Sequence, residues 1–245
     1  MNQLCLIIPC YNEEFRLPFK EYESFLSQHP EVHLCFVNDG STDGTQSVLQ
    51  KLCEKFPATV NLISSPKNLG KAEAVRMGML HCLKNTDFEY IGYSDADLSA
   101  PLEEFLTLKN YMTGEIEFCF GSRILKIGSV IERSGKRHYT GRIIATFISN
   151  VLDLKVYDTQ CGCKLFSREL AAYLFEKHFI STWLFDVEIF ARILSKYGKQ
   201  KALTKMLEIP LVKWINKDGS KVKATYFFKL WIDLLKIKKT LKPEK

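Results

Sequence analysis

The chain predicts an α/β fold, a mostly parallel sheet wrapped by helices. Three observations point there. Short, continuous apolar runs alternate with longer helical stretches. The first run, Leu4-Cys5-Leu6-Ile7-Ile8, is apolar on every residue, as in strands covered on both faces. Polar clusters recur where a run ends. Strands alternating with helices make a parallel sheet, and such sheets bind ligands outside the carboxyl ends of their strands.

Taken in order, Leu4-Cys5-Leu6-Ile7-Ile8 is the first strand and stops at Pro9. A mixed helical stretch covers about 13–27. The second strand, 32–37, runs into Asn38-Asp39-Gly40-Ser41-Thr42-Asp43-Gly44-Thr45, a dense turn that opens a helix to about Lys55 and either lets backbone approach a ligand or simply caps the helix through Ser41 or Thr42, or does both. A third strand covers 60–63. Asn68-Leu69-Gly70 starts a helix to about Leu83, and the fourth strand, 88–93, leads into Ser94-Asp95-Ala96-Asp97. A helix near 102–112 and a strand at 117–121 follow. The second half is less regular: a helix over 142–154, a short strand at 163–166, a helix over 185–194, a strand over 206–214 and a last helix over 224–240. No repeat or linker divides the chain, so 1–245 reads as one domain.

Composition narrows the function. The formal charge is +6, and Lys and Arg crowd 123–142 and 213–245, which suggests an acidic partner such as phosphate, nucleotide or anionic lipid. The eight cysteines lack zinc spacing and fit a reducing compartment. No leader precedes the first strand and no apolar run is long enough to span a bilayer. A cytosolic protein, peripheral on the cytosolic face of a membrane, is expected. Nucleic-acid binding is not, because the basic residues match no reader module.

Asp95 and Asp97 point most directly to chemistry. Two carboxylates one residue apart repel unless solvated or neutralised, and a divalent cation would neutralise them: hard cations take oxygen ligands, and Mg²⁺ often combines carboxylates with substrate phosphates. A solvated turn or a helix cap ahead of Pro101 explains the pair without a ligand. The clusters at 9–14, 38–43 and 95–97 all lie at strand carboxyl ends, so the topology brings them into one crevice.

Ile-Ile-Pro-Cys-Tyr-Asn-Glu-Glu at 7–14, Val-Asn-Asp-Gly-Ser-Thr-Asp-Gly-Thr at 37–45, Asn-Leu-Gly-Lys at 68–71 and Asp-Ala-Asp at 95–97 resemble, in order and spacing, the family 2 glycosyltransferases of GT-A fold. Asp158-Thr159-Gln160-Cys161-Gly162-Cys163-Lys164-Leu165-Phe166, Trp183-Leu184-Phe185-Asp186-Val187-Glu188 and Trp214 with Gly219-Ser220-Lys221 look like the dolichyl-phosphate β-glucosyltransferase branch and its bacterial polyprenyl-phosphate relatives. The resemblance covers about 4–221. It implies a Rossmann-like sheet binding a nucleotide-sugar donor through about 1–122 and an acceptor half over 123–221; beyond it, the residue pattern of 222–245 reads as a basic amphipathic C-terminal helix.

It also implies roles. Asp97, assisted by Asp95, would hold Mg²⁺ or Mn²⁺ on the donor diphosphate. Asp39 would contact uracil or ribose, with Pro9, Tyr11 and Glu13 lining the base pocket. Lys71 would meet the nucleotide or diphosphate, or is merely solvated. A polyprenyl-phosphate acceptor is already largely ionised near neutral pH, with a second pKa of about 6, so it needs charge stabilisation more than a base. Arg123 is the first choice, since Arg grips phosphate bidentately. Arg133, Arg137, Arg142 and Lys164 are further candidates, two or three of them at the site. Asp158 matches the position of a carboxylate proposed as base in related enzymes. It would align the acceptor or tune the basic cluster, or be a turn aspartate paired with Lys164. Asp186 and Glu188 orient basic residues or lie on an exposed helix face.

The last helix sets Tyr226, Phe227, Leu230, Trp231, Leu234 and Ile237 among Lys223, Lys229, Lys236, Lys238, Lys239 and Lys242, a pattern of interfacial helices, with 142–154 beside it. Packing on the sheet or a dimer contact are the alternatives, and a homo-oligomer stays open. The leading expectation is inverting, metal-dependent transfer of a hexose, glucose from UDP-glucose, to polyprenyl phosphate. Transfer to a saccharide hydroxyl is the alternative and would need a base. A nucleotidyltransferase would need a basic, Gly-rich loop where this chain has acidic 9–14. A non-catalytic nucleotide-sugar binding module leaves Arg123 and Asp158 without purpose.

Overall fold

The computed structural model describes residues 4–132, 135–217 and 226–241, with the backbone alone for 135–140 and 226–230. Along the chain, β1 (Leu4–Cys10), α1 (Phe19–Gln28), β2 (Val32–Asp39), α2 (Thr45–Lys55), β3 (Val60–Ser65), α3 (Lys71–Asn85) and β4 (Tyr90–Tyr93) alternate as the sequence predicts. Next come α4 (Glu103–Asn110), β5 (Phe118–Ser122), β6 (Val130–Glu132), α5 (Gly135–Leu152), β7 (Lys164–Ser167), α6 (Arg168–Phe175), α7 (Phe185–Tyr197), α8 (Lys199–Lys205), β8 (Met206–Pro210), β9 (Lys213–Ile215) and α9 (Tyr226–Thr240).

The main sheet has the order β3-β2-β1-β4-β7-β5-β8. β3, β2, β1 and β4 are parallel, and β7 is inserted antiparallel between β4 and β5. The strand expected over 206–214 is in fact two. β8 joins the main sheet beside β5, and β9 pairs with β6 in a separate ribbon. Leu211, buried between them, marks the change of sheet. β6, α6 and α8 have no counterpart in the sequence reading, being too short to show a period of their own.

Both faces of the sheet are covered, hence the unbroken apolar run of Leu4–Ile8 in β1. One core layer packs Ile7, Val37, Tyr93, Phe118 and Phe166 against α3, α6, α7 and the inner faces of α5 and α9. The other packs Leu6, Leu34, Phe36 and Leu165 against α1, α2 and α4. The carboxyl ends of β1, β2 and β4 open on one side, as expected for the ligand crevice. Among the described residues no helix is long and apolar enough to cross a membrane.

Candidate active site

The four early motifs are tied to one another in chain order. Asn12 N–H donates to Ser41 Oγ at 3.0 Å, Glu13 N–H to Thr45 Oγ1 at 2.7 Å and Glu14 N–H to Asp43 Oδ2 at 3.2 Å. In return, Thr42 N–H donates to Asn12 Oδ1 at 2.9 Å and Gly44 N–H to Glu14 Oε2 at 2.9 Å. The turns after β1 and β2 are therefore zipped together. Ser41 and Thr42 work in that zip instead of capping α2, whose cap residue is Gly44. Gly40 has φ +64°, and a Cβ there would lie 2.3 Å from the carbonyl carbon of Lys67, so only glycine allows this approach.

Asp39 makes the next link. Its two oxygens accept from Leu69 N–H and Gly70 N–H, each at 2.8 Å, which pins the start of α3 to the end of β2. Burial pushes the Asp39 carboxyl up, against the downward pull of those two N–H groups. A carboxylate has lone pairs beyond two acceptances, so Asp39 keeps capacity for a base or ribose donor. Pro9 and Tyr11 are partly exposed and Glu13 is buried.

Lys71, first residue of α3, makes the third link through an ion pair with Asp95 Oδ1 at 2.5 Å. It is not merely solvated. Burial would lower the Lys71 ammonium, but Asp95, with Asp186 and Asp97 behind it, holds it above its usual range. Burial would likewise raise Asp95; Lys71, then Lys164 and Arg123, outweigh this and hold the carboxyl below its usual range. Asp97 is partly exposed, and its Oδ1 accepts from Ser99 N–H at 2.9 Å. The turn reading of the pair is thus partly realised, in the same residue that the metal reading uses. Among the described residues no three His, Cys, Asp or Glu converge as a cation cage. Two hard carboxylates suit Mg²⁺ or Mn²⁺ with the remaining ligands from phosphate and water, and Asp97, not already paired with Lys71, is the better placed of the two.

The later candidates fall into separate clusters. Arg123, directly after β5, grips Asp158: Nε donates to Oδ2 at 2.6 Å and Nη2 to Oδ1 at 2.8 Å. The guanidinium also lies 5.3 Å from the centre of the Trp214 ring. Burial alone would lower the Arg123 pKa, but Asp158 raises it further. Asp158 therefore pairs with Arg123, and the expected turn partnership with Lys164 is not formed. Glu208 on β8 accepts from Tyr157 N–H at 2.9 Å and Asp158 N–H at 2.8 Å, fixing the loop. Arg142 stacks 3.7 Å from the centre of the Tyr157 ring and donates to Tyr157 O at 2.9 Å. Arg123 and Arg142 thus flank one short segment. Arg133 lies outside the described residues, as does the side chain of Arg137.

Lys164 is fully buried, its ammonium donating to Cys161 O at 2.6 Å and Asp186 Oδ1 at 2.5 Å. A phosphate on the surface does not reach it there. Asp186 and Glu188, which could have lain on an exposed helix face, are both buried. Asp186 also accepts from the Tyr93 hydroxyl. Glu188 pairs with Arg192 at 2.7 Å and accepts from Ile180 N–H at 2.8 Å. Orientation of basic residues is what both of them do. Sequence reasoning missed Glu208, Tyr157 and the Tyr93–Asp186 contact. Their sole advance signal is a polar atom inside an otherwise apolar element.

Comparison with known proteins agrees with this geometry. The model of the family described as glycosyl transferase family 2 matches residues 5–175. A dolichyl-phosphate beta-glucosyltransferase of Trichomonas vaginalis is 31% identical over 96% of this chain and 72% of its own. The protein of that name from Homo sapiens is 31% identical over 90% and 70%. Among solved structures, mannosyl-3-phosphoglycerate synthase from Rubrobacter xylanophilus superposes with a TM-score of 0.69 at 15% identity, covering 96% of this chain and 72% of that one. Glucosyl-3-phosphoglycerate synthase from Mycobacterium tuberculosis, in complex with Mn²⁺, uridine diphosphate and phosphoglyceric acid, gives a TM-score of 0.65 at 18% identity over 98% and 77%. The fold is that of these enzymes, the motif order is that of the family model, and the chain belongs to glycosyl transferase family 2: it is a glycosyltransferase.

Proposed function

We propose that the enzyme transfers a hexose, glucose from UDP-glucose, to a polyprenyl phosphate such as dolichyl phosphate, with inversion and with Mg²⁺ or Mn²⁺. One observation carries the acceptor side of this reading. Apart from Asp97, which the metal reading uses, the carboxylates of the site are already engaged: Asp158 with Arg123, Asp95 with Lys71, Asp186 with Lys164, Glu13 with Arg16, Glu208 and Asp39 with backbone N–H groups. A saccharide hydroxyl needs a base to remove its proton. A phosphate monoester brings its own charge and needs cations, which Arg123 and Arg142 offer on either side of Tyr157-Asp158. The relatives named dolichyl-phosphate beta-glucosyltransferase support the same acceptor and sugar.

On the donor side, the mycobacterial neighbour that binds Mn²⁺ and uridine diphosphate supports the nucleotide and the metal. Asp97 would hold the ion, with Asp95 lending charge. When bound, it supplies neutralisation of the leaving diphosphate. Lys71 balances Asp95 and lies within reach of the same phosphates, Asp39 takes the base or ribose, and Pro9, Tyr11 and Glu13 line the pocket. In this reading 1–122 binds donor, 123–221 binds acceptor and 222–245 attaches the enzyme to lipid.

Attachment is supported by a face shared between α5 and α9, which pack together with the Phe147 and Trp231 rings edge to face at 4.8 Å. Ile143, Phe147, Trp231, Ile232 and Leu235 are exposed there, beside exposed Lys236, Lys238 and Lys239. Leu125 and Ile127 add exposed apolar side chains on the loop after Arg123. The basic rim suits the anionic cytosolic leaflet.

The test is transfer from UDP-glucose to a short polyprenyl phosphate with Mn²⁺. Asp97→Ala is expected to lower it by roughly 100-fold or more with an unchanged melting temperature. Glucose appearing on a saccharide hydroxyl but never on the lipid phosphate would refute the acceptor assignment.

A further inference from the structure

We propose that the Cys161-Gly162 turn, anchored from beneath by Lys164 and Asp186, is the stop that sets the position of the Asp95 carboxylate and hence the affinity for the donor diphosphate with its metal. Gly162, Lys164 and Asp186 are positioning residues that act through Asp95. The inference rests on the donor-site reading above and adds parts that this reading leaves idle.

The contact itself is specific. A Cβ placed on Gly162 would lie 2.2 Å from Asp95 Oδ2, 2.6 Å from its Cγ and 2.9 Å from Oδ1, and these are the three nearest atoms. Gly162 has no left-handed φ, so its backbone would accept any L residue. What glycine provides at this point is room for one carboxylate. Lys71 holds Oδ1 from the other side. Asp95 is thus confined between an ammonium and a bare α-carbon.

The turn that presses on Asp95 is fixed in turn. Lys164 Nζ donates to Cys161 O, the carbonyl immediately before Gly162. The same ammonium is paired with Asp186, and Asp186 also accepts from Tyr93. Tyr93 and Lys164 are register partners across β4 and β7, and Tyr93 stands two residues before Asp95. The anchor and the carboxylate therefore grow from the same strand end. Burying a lysine and an aspartate gains little stability, because desolvation offsets the attraction and apolar residues of similar volume do as well. The pair does what an apolar pair cannot: it hydrogen-bonds a particular carbonyl and so fixes the turn.

The decisive measurement is uridine diphosphate binding by calorimetry with Mn²⁺, alongside melting temperature and the KM for UDP-glucose. In Gly162→Ala the three atoms nearest the added methyl all belong to the Asp95 carboxylate, so that group has to move. Melting should fall by no more than it does in Asp95→Ala, while affinity falls and KM rises by about 10- to 100-fold. Adding Gly162→Ala to Asp95→Ala should cause no further loss, since the obstructed group is gone. Lys164→Met with Asp186→Leu should keep the fold and show the same loss of affinity. Parent-like affinity in folded Gly162→Ala would overturn the inference, as would a fully additive loss in the Asp95→Ala background. If the parent itself binds no uridine diphosphate with Mn²⁺, the donor-site reading fails instead, and the inference fails with it.

Discussion

The two halves of the crevice are held together by different means. In the donor half, β3, β2, β1 and β4 are parallel, and their terminal turns are joined mainly by side chains accepting from backbone N–H groups: Ser41 from Asn12, Thr45 from Glu13, Asp39 from Leu69 and Gly70. In the acceptor half, the antiparallel β7 interrupts that pattern, and charged side chains meet each other instead: Arg123 with Asp158, Lys164 with Asp186, Arg192 with Glu188. Backbone-directed bonds demand a residue type at a given offset from a strand end. Buried charge pairs demand only that two distant residues meet.

The contrast predicts different responses to mutation. The largest expected effect is at Arg123. Its side chain is only 22% exposed and that of Asp158 8%, so Arg123→Ala takes the guanidinium from a nearly buried carboxylate, which costs up to about 3 kcal/mol. Melting temperature and acceptor KM should both suffer, unlike Asp97→Ala, which should spare the fold. Replacing Arg123 with Met and Asp158 with Leu together should restore melting without restoring transfer. If transfer returned as well, the pair would be structural only.

A smaller effect is expected on the outer face of α9. Trp231, Ile232 and Leu235 are exposed, whereas Leu234, Ile237 and Asp233 are buried, with Asp233 bonded to the Ser181 hydroxyl at 2.8 Å. The helix thus packs on the body and presents a second, apolar face. Changing the three exposed residues to Ser should abolish flotation with anionic vesicles while leaving uridine diphosphate binding intact. Unchanged flotation would remove α9 from lipid attachment. Deleting the helix would be a poorer test, since it strips core residues too.

The smallest effect concerns acid. Asp95 lies below its ordinary value of 3.8 in the folded protein, where Lys71, assisted by Lys164 and Arg123, outweighs the opposing effect of burial. A depressed carboxyl contributes stability above pH 3.8 and loses it as pH falls through the folded value. Lys71→Met removes the main cause. The melting-temperature gap between parent and Lys71→Met should therefore be widest near neutrality and close below pH 3.8. A gap that stays constant from pH 7 down to about pH 2 would show that the pair contributes nothing through ionisation.

Sequence alone determined the donor half: the alternation, the carboxyl-end clusters and the convergence of 9–14, 38–43 and 95–97, whereas the pairing of Lys71 with Asp95 came from the fold. Parallel strands are read from apolar continuity, and their ligand edge follows from topology. Tertiary structure alone decided which charges are paired. The sequence offers Asp158 a role at the acceptor and its basic cluster or a turn pairing with Lys164, six residues on; the fold pairs it with Arg123, thirty-five residues back, because β5 and β7 lie side by side. It also decided that the predicted strand over 206–214 divides between two sheets, that Lys164 faces inward, and that a glycine between two cysteines marks the wall of a carboxylate. Periodicity describes which way a residue faces within its own element. It carries no information about the residue it meets across the sheet, and in this protein those meetings set the charges of the site.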